Sequence, residues 1–141
     1  MPYPIKIILV DDHDLVRESF RMLLEQDERF SIISHCKSGA EAIESSRRLL
    51  PDVMLMDINM SPINGFEAAK KITQANPSVR VIGMSINNNP KYALKMLDHG
   101  ANGFVTKTSS FSELAHAIEK VYAGEKYICN EVKKKMPATE E

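Results

Sequence analysis

Five short apolar runs alternate with stretches of helical periodicity along the chain. This alternation is typical of βαβ units, which place parallel strands in one sheet and pack helices against it. The first, third and fourth runs consist mostly of isoleucine, valine, leucine and methionine, as expected of strands that are buried on both faces. The predicted strands cover residues 5–10, 31–36, 53–56, 80–84 and 102–105.

Two serines mark helix starts between these strands. Ser38 and Ser110 are each followed three residues later by glutamate, which is the capping-box pattern of a helix N-terminus. The second of these helices then carries an apolar face at helical spacing up to Tyr122. Beyond it the pattern weakens, and we expect one more short turn over residues 130–136 followed by a linker or free tail.

Polar side chains follow four of the predicted strands close to the point where each strand ends. They are Asp11 and Asp12 after the first strand, Asp57 after the third, Ser85 after the fourth and Lys107 after the fifth. In an open parallel sheet the carboxyl ends of the strands meet at one edge, and ligands bind there. The sequence therefore predicts a site that combines three carboxylates, one hydroxyl and one ammonium group.

Three carboxylates at one site repel one another. Two like charges about 4 Å apart cost about 4 kcal/mol at an effective dielectric constant of about 20. A hard divalent cation relieves this repulsion, and Mg²⁺ suits a site made of few carboxylates, water and phosphate. The simpler alternative is that Asp11 and Asp12 only cap the first helix. The additional polar residues, Asp57 and Lys107, at other strand ends favour the cation site.

Paired acids, a lone acid, a hydroxyl and a lysine in this order resemble the receiver domain of bacterial two-component response regulators. The resemblance covers residues 4–123. It implies a single doubly wound, five-stranded parallel sheet in the order 2-1-3-4-5, flanked by five helices, which is the flavodoxin-like receiver fold. Residues 124–141 would then form an exit segment or linker toward an output domain that this sequence does not contain.

The resemblance also implies roles for four residues around the acid cluster. Asp57 matches the phosphoacceptor, which takes a phosphoryl group from a sensor histidine kinase. Asp12 matches the direct magnesium ligand, and Asp11 matches the acid that holds the metal through water. The backbone carbonyl of Asn59 matches the third protein ligand of the metal, beside Asp12 and Asp57.

Three further positions match residues that respond to the phosphoryl group. A carboxylate can accept this group covalently, and catalysis is then mainly positioning and charge stabilisation. Lys107 would neutralise the phosphoryl oxygens, and Ser85 would donate its hydroxyl to one of them. Phe104 matches the aromatic switch residue, with a plain core phenylalanine as the alternative.

Departures from the family pattern occur next to these residues. Pro62 comes one position later than usual, which predicts a locally altered loop and an intact site. Ile86 follows the hydroxyl residue where a small side chain is common, and we expect it to restrict access and slow phosphorylation or hydrolysis. Thr108 replaces a frequent proline, which leaves the geometry of the preceding peptide bond open.

The stretch from Val10 to Arg17 resembles the opening of receivers of the LuxR/NarL-type group. That group implies control of a DNA-binding output domain in transcription regulation, with a homodimer on phosphorylation and DNA contact only through the output domain. His13 within this stretch is expected to be an exposed residue without a chemical role. The chain would be no enzyme beyond catalysing its own phosphotransfer and autodephosphorylation.

Composition excludes several other classes of function. The net charge of −1 gives no basic field for nucleic acid, and no apolar run approaches the roughly 20 residues of a membrane span. The first residues lack a signal-peptide pattern, so we expect a cytoplasmic protein. Cys36 and Cys129 are too few for a disulfide framework.

Three other functions compete with the receiver assignment. A haloacid-dehalogenase-type hydrolase needs a second acid two residues after its nucleophile, where this chain has Asn59. A flavodoxin-like nucleotide binder needs a loop rich in glycine, serine or threonine after the first strand, where this chain has acids. A stand-alone or degenerate receiver that serves as a docking module remains as the alternative.

Overall fold

Six parallel strands form one sheet in the computed structural model, which describes residues 4–137. In chain order they are β1 (Ile5–Val10), β2 (Phe30–Cys36), β3 (Val53–Asp57), β4 (Arg80–Ser85), β5 (Gly103–Thr106) and β6 (Tyr127–Ile128). Their order across the sheet is β2-β1-β3-β4-β5-β6. The predicted fold class and the order of the first five strands are confirmed. The sixth strand, β6, was not predicted and adds a new sheet edge beside β5.

Within residues 4–137, six helices connect and cover the strands. They are α1 (Asp14–Glu25), α2 (Gly39–Leu49), α3 (Gly65–Ala75), α4 (Pro90–Asp98), α5 (Phe111–Tyr122) and α6 (Asn130–Lys133). The side chains of Ser38 and Ser110 cap α2 and α5, because each accepts a hydrogen bond from the backbone of the glutamate three residues later. The prediction of five flanking helices omitted α6, which is the short turn expected beyond residue 130. Residues 138–141, the end of the expected tail, lie outside the described part.

The central strand β3 is buried along its whole length, up to its end at Asp57. All five of its residues are buried, which explains why its sequence shows no alternation of apolar and polar residues. Burying one large aliphatic side chain stabilises a fold by about 1.5–3 kcal/mol. The apolar part of β3 therefore holds Asp57, its last residue, in a buried position. No helix among residues 4–137 is long and apolar enough to span a bilayer.

Replacing Gly65 with alanine is expected to destabilise the fold by about 2–4 kcal/mol, measured by urea unfolding. A Cβ on Gly65 would lie 2.6 Å from the Cα of Ile58 and even closer to the carbonyl oxygen of Asp57, both of them backbone atoms that cannot give way. The control is Gly124→Ala, whose Cβ meets nothing within 4 Å in the described chain, although φ is +94°. That strain alone costs about 1–2 kcal/mol. Equal losses in the two variants would refute the clash.

Candidate functional site

The acids predicted to converge do lie together at the carboxyl ends of β1 and β3. One ligand atom each from Asp11, Asp12, Asp57 and His13 lies within 4.8 Å of the other three. The Nδ1 atom of His13 is 3.1 Å from Oδ1 of Asp12 and 3.3 Å from Oδ1 of Asp11. His13 is exposed as expected, but its contact with the acids was not predicted from the sequence. Its position directly after Asp12 was the available signal.

Asp57 is almost completely withdrawn from solvent, with 1% of its surface exposed. Its Oδ1 atom accepts a hydrogen bond from the amide of Asn59 at 3.0 Å. Its Oδ2 atom is buried and has no hydrogen-bond partner among the described residues. A buried carboxylate oxygen without a partner is costly, so a native structure that keeps one invites a functional explanation.

The pKa of Asp57 reflects this environment. Burial, and to a lesser extent the negative charge of Asp11, raise the pKa of Asp57 from 3.8 to about 6. The Asn59 amide and the ammonium group of Lys107 oppose the rise. At neutral pH the carboxylate is therefore mainly ionised, which is the form a nucleophile requires.

Lys107 supplies the positive charge of the site. Its Nζ atom donates to Oδ2 of Asp11 at 2.7 Å and lies 3.4 Å from Oδ1 of Asp57. Its backbone amide donates to the carbonyl of Ser85 at 2.8 Å, which ties the residue after β5 to the end of β4. The lysine thus bridges two buried acids, with Asp11 as its nearer partner.

The loop between β1 and α1 is held by Arg17, which the sequence analysis did not single out. This buried arginine donates to the carbonyl of Asp11 at 2.8 Å and to the carboxylate of Asp14 at 2.8 Å, and its Nε lies 3.3 Å from Nδ1 of His35. The N-cap of α1 is His13, and no side chain within the described residues caps it. The alternative in which Asp11 and Asp12 only cap the first helix therefore lacks support.

The two proposed switch residues are both buried. Ser85 lies at the end of β4, and its Oγ atom accepts a hydrogen bond from the amide of Asn87 at 2.9 Å. Phe104 is fully buried in β5 and packs close to Gly83 of β4. In this structure Phe104 is a core residue.

Ile86 lies beside the site with 76% of its surface exposed. It borders a groove of about 420 Å³ that also includes Leu15 and Leu23 of α1 and reaches Lys107. A bulky, exposed side chain therefore follows Ser85 directly and lines the same groove as Lys107.

Comparison with known proteins identifies the family. Residues 7–119 match the family model of the response regulator receiver domain, and the chain belongs to this family. It is 34% identical to "Response regulator GacA" of Pseudomonas syringae pv. syringae over 128 residues, which make up 91% of this chain and 60% of the relative. It is 33% identical to "Response regulator UvrY" of Escherichia coli, covering 94% of this chain and 61% of the relative. The chain thus spans about 60% of the length of these relatives.

Solved structures agree with this assignment. A two-component response regulator of the LuxR family from Aurantimonas sp. SI85-9A1 has a TM-score of 0.89 at 32% identity, covering 93% of this chain and 94% of that one. The signal receiver domain of the putative response regulator NarL from Mycobacterium tuberculosis has a TM-score of 0.83 at 28% identity, covering 88% of this chain and 100% of that one. The resemblance to LuxR/NarL-type receivers is therefore confirmed.

Proposed function

We propose that this chain is a phosphorylation-dependent signalling switch in which Asp57 accepts a phosphoryl group from a sensor histidine kinase. The observation that carries the proposal is the buried Oδ2 atom of Asp57, which has no hydrogen-bond partner among residues 4–137. Asp57 lies among two further acids and a lysine. In the reaction this oxygen bonds to phosphorus, the bond from phosphorus to the histidine nitrogen breaks, and the imidazole keeps the electron pair. The chain would perform this transfer and its own dephosphorylation and no other catalysis.

The donor set at the acid cluster fits Mg²⁺. Hard divalent cations prefer oxygen ligands, and the cluster offers carboxylate oxygens that would otherwise repel one another. Asp12 and Asp57 would hold the metal directly, together with the backbone carbonyl of Asn59, and Asp11 would hold it through water. When bound, Mg²⁺ would neutralise the acids and the oxygens of the phosphoryl group.

The remaining residues would orient and read the phosphoryl group. The ammonium group of Lys107 would move from Asp11 toward a phosphoryl oxygen. The movement is short because its Nζ atom already contacts both Asp11 and Asp57. Ser85 accepts one hydrogen bond through Oγ and can still donate its own hydrogen. Its shift toward the phosphoryl group, with repacking of Phe104, would carry the change to an interaction surface.

We further propose an output in transcription. One relative is called "Transcriptional regulatory protein DegU", and one solved structure shows RcsB of Salmonella enterica bound to promoter rprA in the presence of phosphomimetic BeF₃⁻. By analogy, residues 4–123 would be the receiver and residues 124–141 would lead to a DNA-binding output domain. A homodimer would form on phosphorylation. The alternative, a degenerate docking receiver, draws support from the exposed Ile86 near the site.

Beryllofluoride, which mimics an aspartyl phosphate, tests the switch. With Mg²⁺ present we expect a bound signal in ¹⁹F NMR and an increase in mass by light scattering as the chain dimerises. If the wild-type chain shows no bound signal, the degenerate docking module becomes the better proposal. A bound signal without a change in mass would rule out the proposed homodimer, and the proposed phosphoacceptor role of Asp57 would stand.

Replacing Lys107 with alanine is expected to uncouple phosphorylation from dimerisation. The variant loses the ammonium group that bridges Asp11 and Asp57, so a phosphoryl group would bind without drawing this loop toward it. We expect Asp57 to accept phosphate from acetyl phosphate while the mass in solution stays that of a monomer. Lys70→Ala, which changes an exposed lysine on α3, is the control. Dimerisation equal to that of the wild type would exclude the proposed role of Lys107.

Replacing Ile86 with alanine is expected to accelerate phosphorylation by acetyl phosphate. Removing one steric contact lowers a barrier by about 1 kcal/mol, which corresponds to about three- to tenfold in rate. Rates are compared by the appearance of the phosphorylated mass with time. Leu94→Ala, a similarly exposed apolar residue on α4, should leave the rate unchanged. An unchanged or slower rate in Ile86→Ala would show that this side chain does not restrict access.

A further inference from the structure

Residues 127–136, here called the C-terminal segment, pack against the edge of the sheet next to the site. Strand β6 pairs in parallel with β5, and the amide of Cys129 donates to the carbonyl of Phe104 at 3.0 Å. Cys129 and Val132 are fully buried, so the segment forms part of the core. Helix α6 contacts both α4 and β5.

Glu131 makes the polar contacts of α6 with the loops around the site. Its Oε1 atom accepts from the hydroxyl of Thr106 at 3.0 Å, and its Oε2 atom accepts from the side-chain amide of Asn88 at 2.7 Å. The carbonyl oxygen of the same Asn88 side chain accepts from Nζ of Lys135 at 3.0 Å. Asn88 therefore connects to the C-terminal segment through both ends of its amide group.

The two residues that bind Glu131 adjoin the proposed switch residues. Thr106 directly precedes Lys107 in the chain and lies opposite Ser85 in the pairing of β4 with β5. Asn88 is in the loop whose backbone binds the hydroxyl of Ser85, through the amide of Asn87. Any movement of Ser85 or Lys107 toward a phosphoryl group on Asp57 therefore pulls on a residue that Glu131 holds.

A second anchor of the segment does not involve these loops. Glu113 on α5 accepts hydrogen bonds from the hydroxyl of Tyr127 and from the amide of Asn130, both at 2.7 Å. The start of the segment is thus tied to α5, and its later part is tied through Glu131 to the loops of the site. A change at the site is expected to affect the two parts unequally.

We propose that Glu131 is a positioning residue that couples the phosphorylation site to the C-terminal segment. The inference rests on the proposed function of Asp57. Glu131 holds Asn88 and Thr106 in the arrangement described here, and the shift of Ser85 and Lys107 toward a phosphoryl group breaks these bonds and releases α6 from α4. Release would change the position of α6 relative to α4.

Coupling of this kind is reciprocal, which makes it measurable at the site. If binding at Asp57 favours the state in which α6 is released, then a substitution that favours the released state must strengthen binding at Asp57. Glu131→Ala removes both hydrogen bonds of the carboxylate. The matched control is Glu125→Ala, which removes a carboxylate of the preceding loop that pairs only with Lys120 in the described chain.

The first measurement is the affinity for beryllofluoride in the presence of Mg²⁺, by ¹⁹F NMR. We expect Glu131→Ala to bind at least about fivefold more tightly than the wild type, the lower end of typical coupling between sites, and Glu125→Ala to match the wild type. Asn88→Ala should reproduce part of the effect, because it leaves the bond between Glu131 and Thr106 in place. The effect of the double variant should be smaller than the sum of the two single effects, because both changes remove the bond between Glu131 and Asn88.

The second measurement is hydrogen exchange of backbone amides. In the wild type, beryllofluoride is expected to speed exchange at Lys134, whose amide donates to Asn130 within α6, by about tenfold. Tyr127, which pairs with β5, should stay protected. In Glu131→Ala, exchange at Lys134 should be fast without beryllofluoride.

The outcomes separate the coupling from the function on which it rests. If beryllofluoride binds, but its affinity and the exchange at Lys134 are the same in Glu131→Ala as in the wild type, the coupling alone is overturned. Absence of bound fluoride in the wild type and in Glu131→Ala would overturn the phosphoacceptor role of Asp57 and the coupling with it.

Discussion

Replacing Asp57 with asparagine is expected to abolish phosphorylation by acetyl phosphate and to leave the fold intact. The amide of asparagine lacks the nucleophilic oxygen anion, so no acyl phosphate forms. The amount of phosphorylated chain seen by intact mass should therefore fall at least about 100-fold, beyond detection. Asparagine has nearly the same size and shape, so the circular dichroism spectrum should not change. Asp98→Asn, on the exposed end of α4, is the control for loss of a single acid. Persistent labelling of Asp57→Asn would rule out Asp57 as the acceptor.

The same variant should be more stable than the wild type at neutral pH. Because the pKa of Asp57 is raised from 3.8 to about 6 in the folded protein, the folded state binds a proton more tightly than the unfolded state. The free energy of unfolding of the wild type therefore falls as pH rises from about 4 to about 6, and the carboxylate costs stability at pH 7. Burial of the asparagine amide offsets part of this gain, so we expect Asp57→Asn to be more stable than the wild type by about 1–2 kcal/mol at pH 7, in the absence of Mg²⁺.

The pH dependence of the stability difference between Asp57→Asn and the wild type tests whether the buried charge causes it. Below about pH 4 the wild-type carboxyl is protonated in both states, so the stabilities of the two proteins should converge. Urea unfolding at pH 4, 5, 6 and 7 measures the difference in stability between the two proteins, from which the titration of groups remote from Asp57 cancels. A gain that is the same at all four values would show that the buried charge is not its cause.

Removing Mg²⁺ with a chelator is expected to abolish phosphorylation and beryllofluoride binding. A phosphoryl group brings further negative charge to three acids that already lie close together, and Lys107 supplies one positive charge in contact with two of them. We expect the rate of phosphorylation by acetyl phosphate to fall at least about 100-fold, equivalent to about 2.7 kcal/mol of transition-state stabilisation. Intact mass after timed incubation measures the rate.

The direct effect of Mg²⁺ on the fold provides an independent check. A ligand that binds only the folded state at 100 times its dissociation constant raises the free energy of unfolding by about 2.7 kcal/mol. Wild-type chain should therefore melt at a higher temperature with Mg²⁺, and Asp12→Asn should respond much less. Sodium chloride at equal ionic strength is the control, because Asp12 and its neighbours also respond to general screening. Equal effects of the two salts would argue against a specific metal site.

The strands and the site edge were predictable from the sequence for a simple physical reason. A strand buried on both faces must be apolar throughout, so β3 is visible as an uninterrupted apolar run and Asp57 as its polar end. Parallel strands all end at one edge, so the convergence of Asp11, Asp12 and Asp57 follows from topology. No prediction of individual contacts between side chains was needed for this result.

Other features depend on contacts that leave no periodic pattern. Strand β6 has two residues and α6 has four, too few to show a period, and their place is fixed by burial of Cys129 and Val132. The Nζ atom of Lys107 lies nearer to Asp11 than to Asp57, and only the three-dimensional structure shows which acid is its nearer partner. Glu131 is charged and lies in a charged stretch, so its hydrogen bonds to the end of β5 and to the loop between β4 and α4 could not be predicted from the sequence.

The most direct test of the phosphoacceptor role is the intact mass of the wild-type chain after incubation with acetyl phosphate and Mg²⁺, followed by mapping of the modified residue. Borohydride reduction converts an aspartyl phosphate into homoserine, which marks the position in the peptide that contains it. We expect one phosphoryl group per chain, with the mark at Asp57. No adduct, or an adduct at any other residue, would contradict the assignment of Asp57 as the phosphoacceptor.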